Sequence, residues 1–148
     1  MPKALLIVNP QATAVTEERV AAVAEILGAD VVETERPEHA TVLAAGADAD
    51  AVVVFGGDGA FNEVLSGVRS GMPVGFVPGG GSSVLPRALG IPRDAEAAAR
   101  QIAEALAANR SHRIAVGRVN GRRFGFSAAI GFPAEVVRRV DELGRADG

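Results

Sequence analysis

No cysteine occurs among the 148 residues, which removes disulfides, thiolate metal sites and cysteine nucleophiles together. A reducing, cytoplasmic setting suits such a chain. Tryptophan and tyrosine are also absent and aromatics make up 4%, so a core must be built from Ala, Val, Leu and Ile. Lys3 is the only lysine, which excludes a Walker loop, since that loop needs Gly-Lys-Ser/Thr. His39 and His112 stand without an acid or second histidine at catalytic or ligand spacing, which leaves them surface or packing roles. No apolar run approaches the length of a membrane span, and Ala4–Val8, ended by Asn9-Pro10, is too short for a signal peptide. The length fits one ordinary domain with a real core.

Charge is scarce overall but unevenly placed. Net charge is −3, yet residues 1–68 carry 3 basic and 11 acidic side chains while residues 69–148 carry 12 basic and 7 acidic. Arg110, Arg113, Arg118, Arg122, Arg123, Arg138 and Arg139 supply most of the second half's excess. A basic half can meet an anionic substrate or a membrane surface, or can simply be a solvated face. No aromatic residues alternate with these arginines to stack bases, so nucleic acid is not an expected partner.

The stretch with the most information is Ala51-Val52-Val53-Val54-Phe55 followed by Gly56-Gly57-Asp58-Gly59-Ala60-Phe61-Asn62-Glu63. Five apolar residues in a row, β-branched in the middle, read as a strand buried on both faces, the mark of a parallel sheet. Three glycines in four positions allow a tight turn and close approach of a ligand to backbone N–H groups. Phe61, Val64, Leu65 and Val68 then recur at helical spacing, so the unit is strand, glycine turn and helix N-terminus, a phosphate-holding arrangement. Asp58 within the turn is unusual. Beside a polyphosphate it would be repelled unless a cation intervenes or it accepts a proton, which points to phosphoryl transfer. Capping alone is the competing explanation, because Asp is favoured near helix N-termini. Asn62 stands where the dinucleotide fingerprint wants its third glycine, so that motif is excluded.

Along the chain, Lys3–Val8 reads as a first strand, and Thr16 can cap a helix over Glu17–Leu27 that Gly28 stops. Val31-Val32 lead a short strand ending near Thr34, and a helix with Pro37 in its first turn runs to about Ala45. After the central helix, Val74–Val77 is a fourth strand opening into Pro78-Gly79-Gly80-Gly81-Ser82-Ser83, where Ser83 can cap a helix from Val84. Asp94–Ala108 is an alanine-rich helix. This βαβαβαβ alternation predicts an α/β fold, a parallel sheet with helices on both faces, and ligands bind beyond the strand C-termini of such sheets. Asn9, the Gly56–Gly59 turn and the Pro78–Ser83 loop all fall at that edge. After residue 110 the pattern changes: Arg113–Val119, Asn120-Gly121 and Arg122–Ile130 predict a hairpin, with Ala134–Leu143 as a helix. Phe124 and Phe126 alternate there, facing a core or an acyl cleft. Residues 1–110 form the α/β unit and 111–148 either pack on it or begin an incomplete second domain, whose exposed hairpin edge would favour a homodimer.

Taken together, Asn9-Pro10, the run from Gly56 to Val64, Arg87-Ala88-Leu89-Gly90-Ile91-Pro92, Val119-Asn120-Gly121-Arg122 and Gly131-Phe132 resemble the diacylglycerol kinase catalytic-domain family, which includes bacterial lipid kinases and sphingosine and ceramide kinases. NAD kinases and phosphofructokinases share only the Gly-Gly-Asp-Gly core. The resemblance implies a Rossmann-like nucleotide domain followed by a β-rich sandwich, and ATP-dependent phosphorylation of a lipid hydroxyl at a membrane surface with Mg²⁺. It implies that Gly56, Gly57, Asp58, Gly59, Ala60, Phe61 and Asn62 hold the phosphates, with Glu63 and Asn9 supporting the turn. Thr34 would contact nucleotide, Gly80, Gly81 and Ser82 would close the other side, and Asp58 would act as metal partner or proton acceptor. The chain departs from the family's pattern at Ala60, where Thr is usual, and at Gly81, Ser83 and Val84 in the second loop. Ala115 and Pro133 stand where acids are usual, with Glu135 two residues on. Two readings therefore stand: a lipid kinase or its ATP-binding portion, and a nucleotide-binding fragment or degenerate member without catalysis.

Overall fold

A computed structural model describes residues 2–81 and 83–125. Four parallel strands, β1 (Ala4–Val8), β2 (Ala29–Glu33), β3 (Ala51–Gly56) and β4 (Val74–Pro78), form one sheet in the order β2-β1-β3-β4. β1 is followed by α1 (Glu17–Leu27), β2 by α2 (His39–Ala45), β3 by α3 (Asp58–Gly67), and β4 by α4 (Val84–Ala88) and α5 (Ala95–Ala107). The α/β reading is borne out, and so are helices on both faces. Leu6, Val8, Val53, Phe55 and Val77 pack toward α1 and α5, whereas Ile7, Val52, Val54 and Phe76 pack toward α2 and α3. Alternate residues of one strand thus serve opposite layers, which is why β3 must be apolar throughout; all six of its residues are buried.

Local chemistry sets several boundaries where expected. The Thr16 side chain accepts a hydrogen bond from the Arg19 N–H at 3.3 Å, and Gly28 ends α1 in the left-handed region at φ 58°. Asp94 caps α5 by accepting from the Ala97 N–H at 2.8 Å. Other boundaries differ. Pro37 lies ahead of α2, which starts after Glu38, a residue held at φ 64°. Glu38 can occupy that region because its N–H donates to the Glu63 carboxylate of the neighbouring helix, 3.2 Å away. Ser83 does not cap α4; its hydroxyl donates back to the Gly80 carbonyl at 3.2 Å.

The hairpin is present but shorter than its sequence pattern, with β5 (Gly117–Val119) and β6 (Arg122–Phe124) antiparallel around Asn120 and Gly121, both at positive φ. Ile114 and Val116 lie outside the strands and are exposed. The hairpin packs against α3 through side-chain and backbone hydrogen bonds. Phe126 and the expected helix over Ala134–Leu143 lie outside the described residues. Among the described residues no helix is long and apolar enough to cross a membrane.

Helices α2 and α3 meet at Gly67, where a Cβ would fall onto the Thr41 backbone carbonyl. Thr41 adds a hydroxyl bond to the Glu63 carbonyl at 3.0 Å, so the two backbones are held close. Backbone cannot yield as a side-chain tip does, and the methyl of Gly67→Ala is expected to cost about 1–3 kcal/mol. Urea unfolding of the variant checks this, and a curve superimposable on the parent's contradicts such a close approach.

Candidate functional site

The parallel order places the C-terminal ends of all four strands on one edge, and the chain reverses its direction of winding between β1 and β3. Backbone bonds lace the loops at that crevice. The Asn9 N–H donates to the Phe55 carbonyl at 2.9 Å, Gly79 N–H to the Gly56 carbonyl at 2.7 Å, and Ala14 N–H to the Gly79 carbonyl at 2.9 Å. Such contacts need glycine. A Cβ on Gly56 would stand 3.1 Å from the Ala60 Cβ and 3.2 Å from that of Asn9, and one on Gly79 would stand 2.8 Å from Val15 and 3.1 Å from the Gly56 backbone. Three loops distant in sequence therefore meet.

Within this meeting point the turn is shorter than its sequence pattern. Gly56 belongs to β3, Gly57 is the N-cap, and Asp58 is the first residue of α3. The first intrahelical bond is that of the Phe61 N–H to the Gly57 carbonyl, so the N–H groups of Asp58, Gly59 and Ala60 have no partner within the helix. Positions for a Cβ on Gly57 and Gly59 meet no protein atom within 4 Å, which leaves open space beside those donors. An anion is favoured there by both the donors and the helix dipole. Gly80 approaches from the far side, its would-be Cβ 3.3 Å from the Gly57 Cα.

Asp58 is half-buried and divides its carboxylate. One oxygen, Oδ2, accepts the Val84 N–H at 3.1 Å and so caps α4 from outside, at the amide just before those a Ser83 cap would serve. The other, Oδ1, is buried and finds no hydrogen-bond partner among the described residues. The capping explanation accounts for one oxygen only. An unpaired buried carboxylate oxygen is costly, and this one belongs to the first residue of α3, whose opening N–H groups have no partner within the helix.

The structure brings together Asn9, Gly56, Gly57, Asp58, Gly59, Ala60 and Gly80, and it gives the Phe61, Asn62 and Glu63 side chains other partners. The Phe61 ring stacks on Phe76 in the core, with centroids 4.8 Å apart. The Asn62 side-chain oxygen accepts the Gly125 N–H at 3.0 Å, on the hairpin side of α3. The Glu63 carboxylate serves the start of α2 rather than the turn. Asn9 holds its own loop, its side chain accepting the Gln11 N–H at 3.0 Å. Thr34 follows the end of β2, its N–H on the Val8 carbonyl of β1 at 2.8 Å, and Gly81 is exposed with open space around it. Ser82 lies outside the described residues. Sequence reading missed Gly79 as the pivot of the second loop, and it missed the Val84 N–H. The run of glycines marked the loop, but only the fold shows which one touches Gly56.

A second feature lies along α3. Gly59, Glu63, Val119, Arg122 and Phe124 help to line a groove of about 420 Å³ between that helix and the hairpin. Arg122 pairs with Glu38 at 2.7 Å, and the Arg123 guanidinium donates to the Leu65 and Val68 carbonyls, each at 3.1 Å, closing the C-terminus of α3. Part of the basic excess is thus committed to structure.

A parallel α/β sheet thus carries a helix N-terminus and two glycine loops at its switch point, an arrangement suited to an anion. The chain belongs to the diacylglycerol kinase catalytic domain family, whose pattern matches residues 3–119. A relative from Streptococcus pneumoniae serotype 4, described as a "Putative lipid kinase", is 37% identical over 95 residues, covering 62% of this chain and 31% of its own. A solved structure of a diacylglycerol kinase from Bacillus anthracis str. Sterne aligns with TM-score 0.70 at 27% identity, covering 82% of this chain and 45% of that one. Another solved chain from the same organism aligns with TM-score 0.71, with 47% of its length covered. This chain therefore spans about a third of that relative and under half of those structures.

Gly59 offers a test of the opening itself. A helical glycine with open space around it gains about 0.4–1 kcal/mol on replacement by alanine when nothing else needs the space. Gly59→Ala should therefore raise the melting temperature while weakening ATP binding at least about tenfold, because the methyl occupies the anion's approach. Calorimetric titration beside a thermal scan reads both, and undiminished ATP affinity places the phosphates elsewhere.

Proposed function

We propose that this chain is the ATP-binding portion of a lipid kinase that transfers the γ-phosphoryl group of ATP to a lipid hydroxyl. The observation that carries the reading is Asp58 Oδ1, a buried carboxylate oxygen with no hydrogen-bond partner among the described residues, on the first residue of a helix whose opening N–H groups have no partner within it. An acid serves no purpose beside bound phosphate unless it faces a cation or a proton. Family membership supports the same choice.

In this reading the α3 N-terminus and the Gly57 and Gly80 backbone hold the triphosphate, with Asn9 fixing the first loop. Magnesium, when bound, supplies neutralisation of the phosphate charge. The residues present fit it in one form: no group of three or more His, Asp or Glu side chains gathers among the described residues, and magnesium is commonly held by one or two carboxylates together with substrate phosphates. Asp58 is the side chain that would contribute. In the transfer, the lipid hydroxyl oxygen forms a bond to the γ-phosphorus, the bond to the β–γ bridging oxygen breaks, and ADP leaves. The hydroxyl proton passes to Asp58 Oδ1 or to water. Gly59, next to Asp58, is among the residues that line the groove between α3 and the hairpin, and in this reading the acceptor lies there. Its lining includes Val119 and Phe124, which suits an acyl substituent, and the lipid would be presented at a membrane surface.

A non-catalytic nucleotide-binding role is the second reading, favoured by the lack, among the described residues, of any group of three or more acids or histidines that could hold a metal. Asp58→Asn separates the two. The amide oxygen can still accept from Val84 N–H, so stability should fall by no more than about 1 kcal/mol and ATP binding should persist. ADP formation from Mg–ATP and diacylglycerol should fall at least about a hundredfold. A parent chain that binds ATP yet forms no ADP supports the non-catalytic role, and a variant as active as its parent removes Asp58 from the chemistry.

A further inference from the structure

The family resemblance puts Asn62 among the phosphate-holding residues, and the structure gives its side chain other work. From the second turn of α3 its Oδ1 accepts the Gly125 N–H at 3.0 Å. One helical turn on, Ser66 Oγ accepts the Arg123 N–H at 2.9 Å and lies 2.9 Å from the Asn62 carbonyl and 3.3 Å from the Arg123 carbonyl. Arg123 then reaches the last carbonyls of the same helix. Asn62 and Ser66 thus accept the Gly125 and Arg123 backbone N–H groups, and the last carbonyls of α3 accept the Arg123 side chain, in one line along the helix. Packing follows the same line: a Cβ on Gly125 would stand 3.1 Å from Leu85, 3.2 Å from Phe61 and 3.4 Å from Leu65, so the chain after β6 is pressed between α3 and α4. A hairpin of two three-residue strands is not stable alone, so its place must come from this line.

We infer that Asn62 is a positioning residue: its side-chain oxygen fastens the hairpin, and the chain that follows it, to the helix whose N-terminus holds Asp58, and it does not contact the nucleotide. The helix is rigid, so fixing the hairpin on its flank also fixes the groove that Gly59 helps to line. The inference deepens the kinase reading and rests on it only for what the groove receives.

The roles of ligand and fastener make opposite demands on one substitution. Asp at this position still accepts the Gly125 N–H, yet it would repel a triphosphate if the side chain faced it. Amide hydrogen exchange over residues 117–125 and ATP affinity, measured on the whole chain, therefore decide the matter. Asn62→Ala should speed exchange in that segment by about tenfold while ATP affinity changes by less than about threefold. Asn62→Asp should restore protection to within about threefold of the parent and leave ATP binding intact. Unaltered hairpin exchange in Asn62→Ala overturns the inference, as does a loss of ATP binding of tenfold or more in Asn62→Asp. A parent chain that binds no ATP removes the kinase reading instead, and the exchange comparison still decides whether Asn62 fastens the hairpin.

Discussion

The site depends on how closely backbones approach where β3 leaves the sheet. Gly56 accepts from Gly79, Gly79 accepts from Ala14, and Asn9 donates to Phe55, which pins three loops to one edge through main-chain atoms alone. Side chains at Gly56 or Gly79 would push those loops apart. The apolar strands β1, β3 and β4 make the arrangement rigid, because their alternate residues are buried against helices on both faces. A phosphate site made of N–H groups has to be rigid, since its donors carry no side-chain freedom with which to adjust.

Asp58 shows how one residue can be structural and chemical at once. Its Oδ2 ties the start of α4 to the start of α3, which orients the carboxylate and leaves Oδ1 buried with no hydrogen-bond partner among the described residues. The same helix is secured elsewhere along its length: Phe61 is stacked in the core, Glu63 and Thr41 join it to α2, and Asn62, Ser66 and Arg123 join it to the hairpin. Helix α3 is therefore the element through which the phosphate edge, the second layer and the hairpin communicate mechanically.

Much of this was legible beforehand, for reasons that differ by residue. The apolar run Ala51–Phe55 could only be a strand covered on both faces, and Thr16, Gly28 and Asp94 mark helix ends by bonds made within a few residues. Local interactions are written locally. Glu38 gave no such sign, since its left-handed backbone is held by Glu63 from another helix and by a charge pair with Arg122 across to the hairpin. Ser83 gave a misleading one: it has the side chain of a cap, but its hydroxyl turns back to the Gly80 carbonyl, and Pro86, third in α4, has no N–H for a cap to serve.

The amino-acid order by itself determined the alternation of strands and helices, the positions of the glycine turns and the family, because hydrophobic period and turn chemistry act over a few residues. Only the tertiary structure decided which members of the Gly56–Glu63 run face the phosphate opening and which face the core, α2 or the hairpin. Along a helix that choice is set by rotation about the axis, and the rotation is fixed by partners such as Phe76, Thr41 and Gly125, which lie far away in the chain.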